Sequence, residues 1–369
     1  MRADLIPARV VPPSRILERE LEARGWTQKD LAAVMGRPVQ AVNEIMAGTK
    51  RITPQTALDL AAALDSSPEF WMNLENNYQL FLARQDSAAA ERRKQITRRR
   101  RLYSIAPIQQ MIRRGWIKGA KSMDELASQV CGFLGIASPE EVAVPVATFR
   151  QGVQNEPDVS AQTAWTKRVE QLARRQQVGP FDRERLTADM PRLLACCERP
   201  EDIGRVPSIL ADLGVRFVIV PQLPKTYIDG AVVALADGPA VGLTLRYDRV
   251  DCFWFTLLHE LAHLALGHMD THLDTLYDND ALPVTEPEAG ANRMASEWLL
   301  PTAAYYDFVD ANQPRFSRAA IQRMAAEQHR HPSIVIGRLQ YDAFVPFSHL
   351  RALHESARPF LSAWTDRPD

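Results

Sequence analysis

Residues 253–270 read FWFTLLHELAHLALGHMD, and the placing of His259, Glu260 and His263 in that run decides how the C-terminal part of the chain folds. On an α-helix, residues four apart differ by roughly 40° in direction and about 6 Å in height, so the two imidazoles can face one metal ion with Glu260 beside them. A carboxylate there that is not itself a ligand can take a proton from water acidified by the ion and pass it to a leaving amine. The flanking Phe255, Leu258, Leu261, Ala262 and Leu266 are too apolar for an exposed helix carrying two incidental histidines.

Such a centre needs a third protein ligand and one open position. His268 lies nine residues after His259, which on a continuous helix is the opposite face. The metzincin arrangement has glycine seven and histidine ten residues after the first histidine, and here those positions are Leu266 and Met269. A second helix offers a carboxylate instead. In EPEAGANRMASEWLLP (286–301), Pro287 suits a first helical position, Glu288 follows it, and Asn292 lies one turn on, placed to orient a histidine from behind. Glu288 is the expected third ligand and Glu286 the runner-up, while Asp270 and Asp274 read as a solvated acidic loop.

Upstream of this motif the period changes. VRFVIVP (215–221), GAVVALA (230–236) and AVGLTL (240–245) are rich in branched apolar residues, and Asp237-Gly238 is a hairpin signal, so a small sheet precedes the motif helix. Residues 119–213 read as helical, with capping boxes opening at Ser122 and Ser138. From Arg92 to Lys118 there are ten basic residues and no acidic one, a helical boundary that reads either as a solvated linker or as a phosphate-contacting arm.

The N-terminal segment is punctuated differently. Thr27 begins a capping-box-like TQKD, and the helix it opens stops at Gly36. Arg37-Pro38 make a turn into a second helix from Val39 to Ala47, with Val42, Ile45 and Met46 as its apolar stripe and Gly48 as its stop. That is helix-turn-helix spacing. Ser67-Pro68-Glu69 then opens FWMNLENNYQLFLARQ, where Phe70, Trp71, Leu74 and Tyr78 share one face and read as core.

With 369 residues the chain can form two or three domains, each burying its own core. Its 46% hydrophobic and 24% charged residues and net charge of -1 exclude both a disordered chain and a membrane-embedded one. MRADLIPARVVPPSR at the start has no apolar h-region, and no stretch reaches the roughly 18 apolar residues of a spanning helix, so a cytoplasmic protein away from membranes is expected. Cys131, Cys196, Cys197 and Cys252 form no CxxC pair and read as reduced thiols.

HELAHLALGH followed by EAGANRMASEWLLP, with HPSIVIGRLQ near the C-terminus, resembles the ImmA/IrrE family of metallopeptidases. That resemblance, over roughly 205–342, implies a gluzincin-like zinc endopeptidase. His259, His263 and Glu288 would bind Zn2+, and Glu260 would act as base. Met294 stands where the family usually has phenylalanine, a change of packing rather than of ligands. WTQKDLAAVMGRPVQAVNEIMAGTKRITPQTALDLAAALDSSPEFWMNLENNYQL is similar to the Cro/repressor-type domain of HigA-like antitoxins, over roughly 13–82. It implies that Gln28 lies near phosphates, that Gln40 and Asn43 reach base edges of a double-stranded operator, and that Arg37, Lys50 and Arg51 hold phosphates.

The expected fold is therefore multidomain and mainly α. An all-α helix-turn-helix domain spans 1–85, a basic helical linker and connector 86–204, and an α+β zincin-like metallopeptidase domain with a small sheet 205–369. The expected function is a DNA-binding regulator, as a homodimer, whose peptidase cuts a repressor-like protein in a stress or mobile-element response. Two alternatives remain: a ligand- or metal-sensing regulator that cuts nothing, and a HigA-like antitoxin that masks a toxin partner.

Overall fold

The computed structural model describes residues 10–142, 157–268 and 285–367, and the backbone of 272–274. Two compact units divide between Arg99 and Arg100.

In the N-terminal unit, helices α1 (Pro13–Arg24), α2 (Gln28–Val34), α3 (Val39–Met46), α4 (Pro54–Leu64) and α5 (Pro68–Gln85) surround one core. Leu17, Leu21, Leu31, Val42, Ile45, Ile52, Leu60 and Trp71 fill it. The Thr27 hydroxyl accepts from the Asp30 amide and the Asp30 carboxylate accepts from the Thr27 amide, so α2 starts on a full capping box. Gly36, at φ 63°, lets the chain leave α2 in a left-handed turn toward α3. On α5 only part of the expected face is core: Trp71 is fully buried, whereas Phe70 is exposed and lies edge-on against it.

Helix α6 (Ser87–Ile105) crosses the division. The C-terminal unit continues through α7 (Ile108–Arg113), α8 (Met123–Leu134), α9 (Val159–Ala173), α10 (Arg183–Ala188), α11 (Met190–Leu194) and α12 (Val206–Asp212). Strands β1 (Arg216–Ile219), β2 (Gly230–Leu235) and β3 (Gly238–Leu243) follow, then α13 (Val250–Leu266), β4 (His272–Asp274), α14 (Glu286–Leu299), α15 (Thr302–Asn312), α16 (Arg318–Glu327) and α17 (Pro332–Tyr341). Ser122 caps α8 as expected, but Ser138 opens only a three-residue 3-10 turn. Among the described residues no helix is long and apolar enough to cross a membrane, and all four cysteines are free and buried.

The sheet has the order β1-β3-β2-β4, with β1 parallel to β3 and β2 antiparallel to both its neighbours. Side chains alternate across it. Phe217, Ile219, Val232, Val241 and Leu243 meet Phe253, Trp254, Leu257, Leu258 and Leu261 of α13 on one face. Val218, Val220, Ala231, Val233 and Ala240 meet Leu102, Ile108, Val130, Trp165 and Val169 on the other. A sheet covered on both faces explains why its strands read as unbroken apolar runs. It also changes the status of the expected connector: the helices from α7 to α9 are not a spacer but the second cover of the sheet. Their fit is tight at Gly242, where a Cβ would lie 2.8 Å from Val169 and 3.1 Å from Trp165.

Candidate metal centre and nucleic-acid interface

Helix α13 is apolar around nearly its whole circumference because the sheet, α14 and α17 pack around it. Five polar side chains are buried in that setting, Asp251, Thr256, His259, Glu260 and His263, and the last three are the deepest, at 0%, 0% and 1% relative exposure. Helix α14 runs alongside in one-turn steps. His263 faces Glu288, whose Oε1 is 3.5 Å from its Nε2, and His259 Nδ1 lies 3.0 Å from Asn292 Oδ1. His259 Nε2 is 3.3 Å from Glu288 Oε2 and 3.0 Å from His263 Nε2.

These separations test whether the donors fit an ion. Ligands about 2.0–2.1 Å from a tetrahedral zinc stand about 3.3 Å from one another; the two Nε2 atoms are 3.0 Å apart, each has a different oxygen of Glu288 within 3.5 Å, and one donor atom from each residue lies within 4.8 Å of the other two. The His259 Nδ1 proton goes to Asn292, so its Nε2 presents a lone pair inward, toward a second imidazole nitrogen and a carboxylate. Such a group needs a cation at its centre. A proton on an Nε2 can stand in for it: hydrogen bonds from His259, then His263, hold the Glu288 carboxyl well below the usual carboxylate range, against partial burial that pulls it up. Among the described residues His259, His263 and Glu288 form the one cluster of three metal-binding side chains.

The other candidates separate cleanly. Glu286 is exposed and paired with Arg293 at 3.0 Å, away from the histidines. Asp270 lies outside the described residues, and the backbone of Asp274 belongs to β4. His268 is not on the far side of the helix. Gly267, at φ 85°, ends α13 in a left-handed cap, the His268 amide returns to the His263 carbonyl at 2.8 Å, and His268 Nδ1 comes to 2.9 Å from His263 Nδ1. It backs His263 as Asn292 backs His259, a role legible only once the stop at Gly267 is placed.

Two neighbours of the centre carry no polar signal in the sequence. A Cβ on Gly230, the first residue of β2, would lie 2.2 Å from Glu260 Oε1 and 2.8 Å from Thr256 Cγ2, so the strand gives the carboxylate room only by lacking a side chain. One turn before His259, Phe255 stacks obliquely between His259 and Tyr341, with ring centroids 6.3 and 6.2 Å away. Beyond it opens a cavity of about 320 Å³ lined by Phe255, Leu299, Leu300, Ile334, Tyr341 and Phe347. The edge of β2 nearest the centre is not open along its whole length: β4 pairs with Gly230, Ala231 and Val232.

In the N-terminal unit the outer side of α3 carries Gln40 and Asn43, both exposed, over the buried Val42 and Ile45. Gln28 and Asn43 line one shallow cleft, together with Glu18. Gln40 donates to Glu44 at 3.3 Å, and Lys50 pairs with Glu44 at 3.4 Å. Arg37 is paired with Asp59 and donates to the Thr56 hydroxyl at 3.3 Å, which ties it to α4, while Arg51 is exposed.

Comparison with known proteins finds one family match within each unit. A helix-turn-helix family model matches residues 17–71, and the IrrE N-terminal-like domain, peptidase family M78, matches 246–315. An uncharacterized HTH-type transcriptional regulator of Escherichia coli K12, YddM, is 28% identical over 92 residues, which are 25% of this chain and 90% of that protein. Antitoxin HigA-1 of Vibrio cholerae serotype O1 is 39% identical over 61 residues, 16% of this chain and 57% of the antitoxin. A solved addiction-module antidote protein of the HigA family from Coxiella burnetii is 32% identical, covering 23% of this chain and 94% of its own, with a TM-score of 0.22 that carries no argument.

Proposed function

For a chain that carries a helix-turn-helix module at its N-terminal end and an IrrE-like peptidase domain at its C-terminal end, we propose a DNA-binding regulator whose C-terminal unit is a zinc endopeptidase acting on a repressor-like protein in a stress or mobile-element response. The observation that carries this reading is the convergence of donor atoms from His259, His263 and Glu288 within 4.8 Å of one another, beside a fully buried Glu260. Zinc held there would supply the Lewis acidity that polarises a peptide carbonyl and acidifies water.

The chain's own residues do the rest. Glu260 takes the proton of the attacking water and delivers it to the nitrogen of the departing amine. Asn292 and His268 fix the ring orientations of His259 and His263. The apolar cavity beginning at Phe255 receives a substrate side chain next to the cut bond. Gln40 and Asn43 choose the operator sequence, and holding the peptidase near a promoter raises its effective concentration toward a repressor bound at the same place.

Glu260→Gln decides between cutting and sensing. The variant keeps the side chain's size and should keep zinc and DNA binding, while single-site, chelator-sensitive cleavage of repressor-like proteins encoded nearby falls by at least ~10²- to 10⁴-fold. A strain carrying it should accumulate uncut repressor and fail to derepress. A normal transcriptional response in that strain would overturn the peptidase and favour a regulator that senses a ligand.

The similarity to antitoxin HigA-1 over 61 residues favours a second reading, in which the N-terminal unit also masks a toxin. A small neighbouring protein that is lethal alone and harmless beside the Glu260→Gln chain would support it. Undiminished lethality would remove it.

A further inference from the structure

Among the described elements, helix α6 carries the largest net positive charge. Seven of its 19 residues are cations, Arg92, Arg93, Lys94, Arg98, Arg99, Arg100 and Arg101, against the single acid Glu91. At about 100° per residue they surround the helix: Arg92 and Arg99 share one side, Arg93 and Arg100 lie about a quarter-turn away, and Lys94, Arg98 and Arg101 fall opposite. Two have structural duties. Arg93 donates to the carbonyls of Ala83 and Arg84 at 3.0 and 3.2 Å, closing the end of α5, and Arg101 donates to the carbonyls of Pro139 and Val142. Arg92, Arg99 and Arg100 are exposed and pair with no acidic side chain among the described residues.

The helix-turn-helix surface stands in contrast. Residues 1–85 hold ten basic and ten acidic side chains, and the cations expected to meet phosphates are largely paired already, Arg37 with Asp59 and Lys50 with Glu44. Sequence-independent affinity for a polyanion scales with the charges that its cations can neutralise, and the densest group of exposed cations in this part of the chain is on α6. A solvated spacer needs only polarity. Seven cations within ten residues repel one another, and an anion relieves that repulsion.

We infer that α6 is a phosphate-contacting arm: Arg92, Arg99 and Arg100 bind the backbone of double-stranded DNA and supply a large share of the sequence-independent affinity, leaving Gln40 and Asn43 to select sequence. This rests on the DNA-binding reading of the helix-turn-helix unit.

The test measures binding of the full-length chain to a mixed-sequence duplex between 50 and 200 mM salt. Each phosphate neutralised contributes about 0.9 to the slope of log affinity against log salt. Three arginines therefore account for about 2.7, and across that fourfold range the wild-type chain should lose about 40-fold more affinity than the Arg92→Gln/Arg99→Gln/Arg100→Gln variant. The three lysine substitutions should restore the slope, because a point charge suffices. Gln40→Ala/Asn43→Ala should keep the slope and lose sequence preference.

A wild-type slope in the triple glutamine variant overturns the inference and leaves α6 a spacer. The same slope combined with lost binding to polyglutamate overturns it in favour of an acidic protein surface. If the wild-type chain binds no duplex at any salt concentration, the DNA reading itself fails and takes the inference with it.

Discussion

Glu260 reaches its place only because position 230 has no side chain, and that dependence can be tested without touching His259, His263 or Glu288, the proposed metal ligands. Gly230→Ala introduces a Cβ 2.2 Å from Glu260 Oε1 at a backbone position free of left-handed strain. The carboxylate, as the end of a flexible side chain, gives way before the strand does, so overpacking should cost about 1–3 kcal/mol at most. A displaced base is worth more in rate: cleavage should fall about 10²-fold while zinc content stays unchanged. Glu260→Asp alone should also slow cleavage. Because aspartate is one methylene shorter, the double variant should lose much less than the product of the two single losses, and a fully multiplicative loss would show that Gly230 acts elsewhere. That the two histidines and Glu260 lie together on one helix is legible in the sequence because their spacing is local. The place of Gly230 is not, since a contact between a strand and a helix thirty residues later leaves no pattern in either, and His268 was misplaced because its position depends on a left-handed residue after the helix.

Helix α14 places a carboxylate in its first turn and an amide one turn later beside the two histidines, so if Glu288 is a ligand and Asn292 orients His259, as proposed, their substitutions should differ in kind. Glu288→Ala should lose most bound zinc and remain folded, as the side chain is 30% exposed and the unit's core lies elsewhere. Asn292→Ala should retain binding with affinity about 10- to 100-fold weaker, the usual effect of removing a group that backs a ligand. Zinc measured after dialysis against graded chelator separates the two, and full occupancy in the Glu288→Ala chain would remove Glu288 from the ligand set. On α3, Gln40→Ala and Asn43→Ala should each lose about 1–3 kcal/mol of discrimination if they read bases in bidentate fashion, whereas Lys50→Ala should weaken all sequences alike. An unchanged selected-site profile would place base reading on another element. Elements were most legible where punctuation was chemical: Thr27, Gly36, Ser67-Pro68 and Ser122 each end or begin a helix close to where they stand. Strand β4 escaped, because three residues paired with β2 give too short an alternation to stand out, and Ser138 misled because the helix its capping box announces never grows past one turn.

Across the whole molecule, the two units have separate cores, one drawn from residues 17–71 and one built on both faces of the sheet. The sequence reading takes the cover of the sheet for a connector, since helices that pack on a buried sheet and helices that merely link domains show the same amphipathic period. Separate cores make metal a probe of one unit alone. Zinc at 100 times its Kd should stabilise the unit that binds it by about 2.7 kcal/mol, slowing amide exchange in α13, α14 and β2 while α2 to α4 exchange as before. The effect depends on pH with a definite sign. Zinc takes the histidines in their neutral form and competes with protons for them, so its stabilisation should be present at neutral pH and fade as the solution is acidified. A second loss should follow at lower pH in the same unit. Burial of Asp251 would raise its pKa, but hydrogen bonds from His354 and Arg249 hold it below the usual aspartate range. A carboxyl depressed in the folded state contributes stability above about pH 3.9, and that contribution is lost as pH falls through its folded value. Asp251→Asn should therefore flatten the acid limb of the C-terminal unit while leaving the zinc-dependent limb intact. If zinc instead protects α2 to α4 as strongly as α13, the two cores do not respond independently, and metal occupancy reaches the DNA-reading helices through the fold itself.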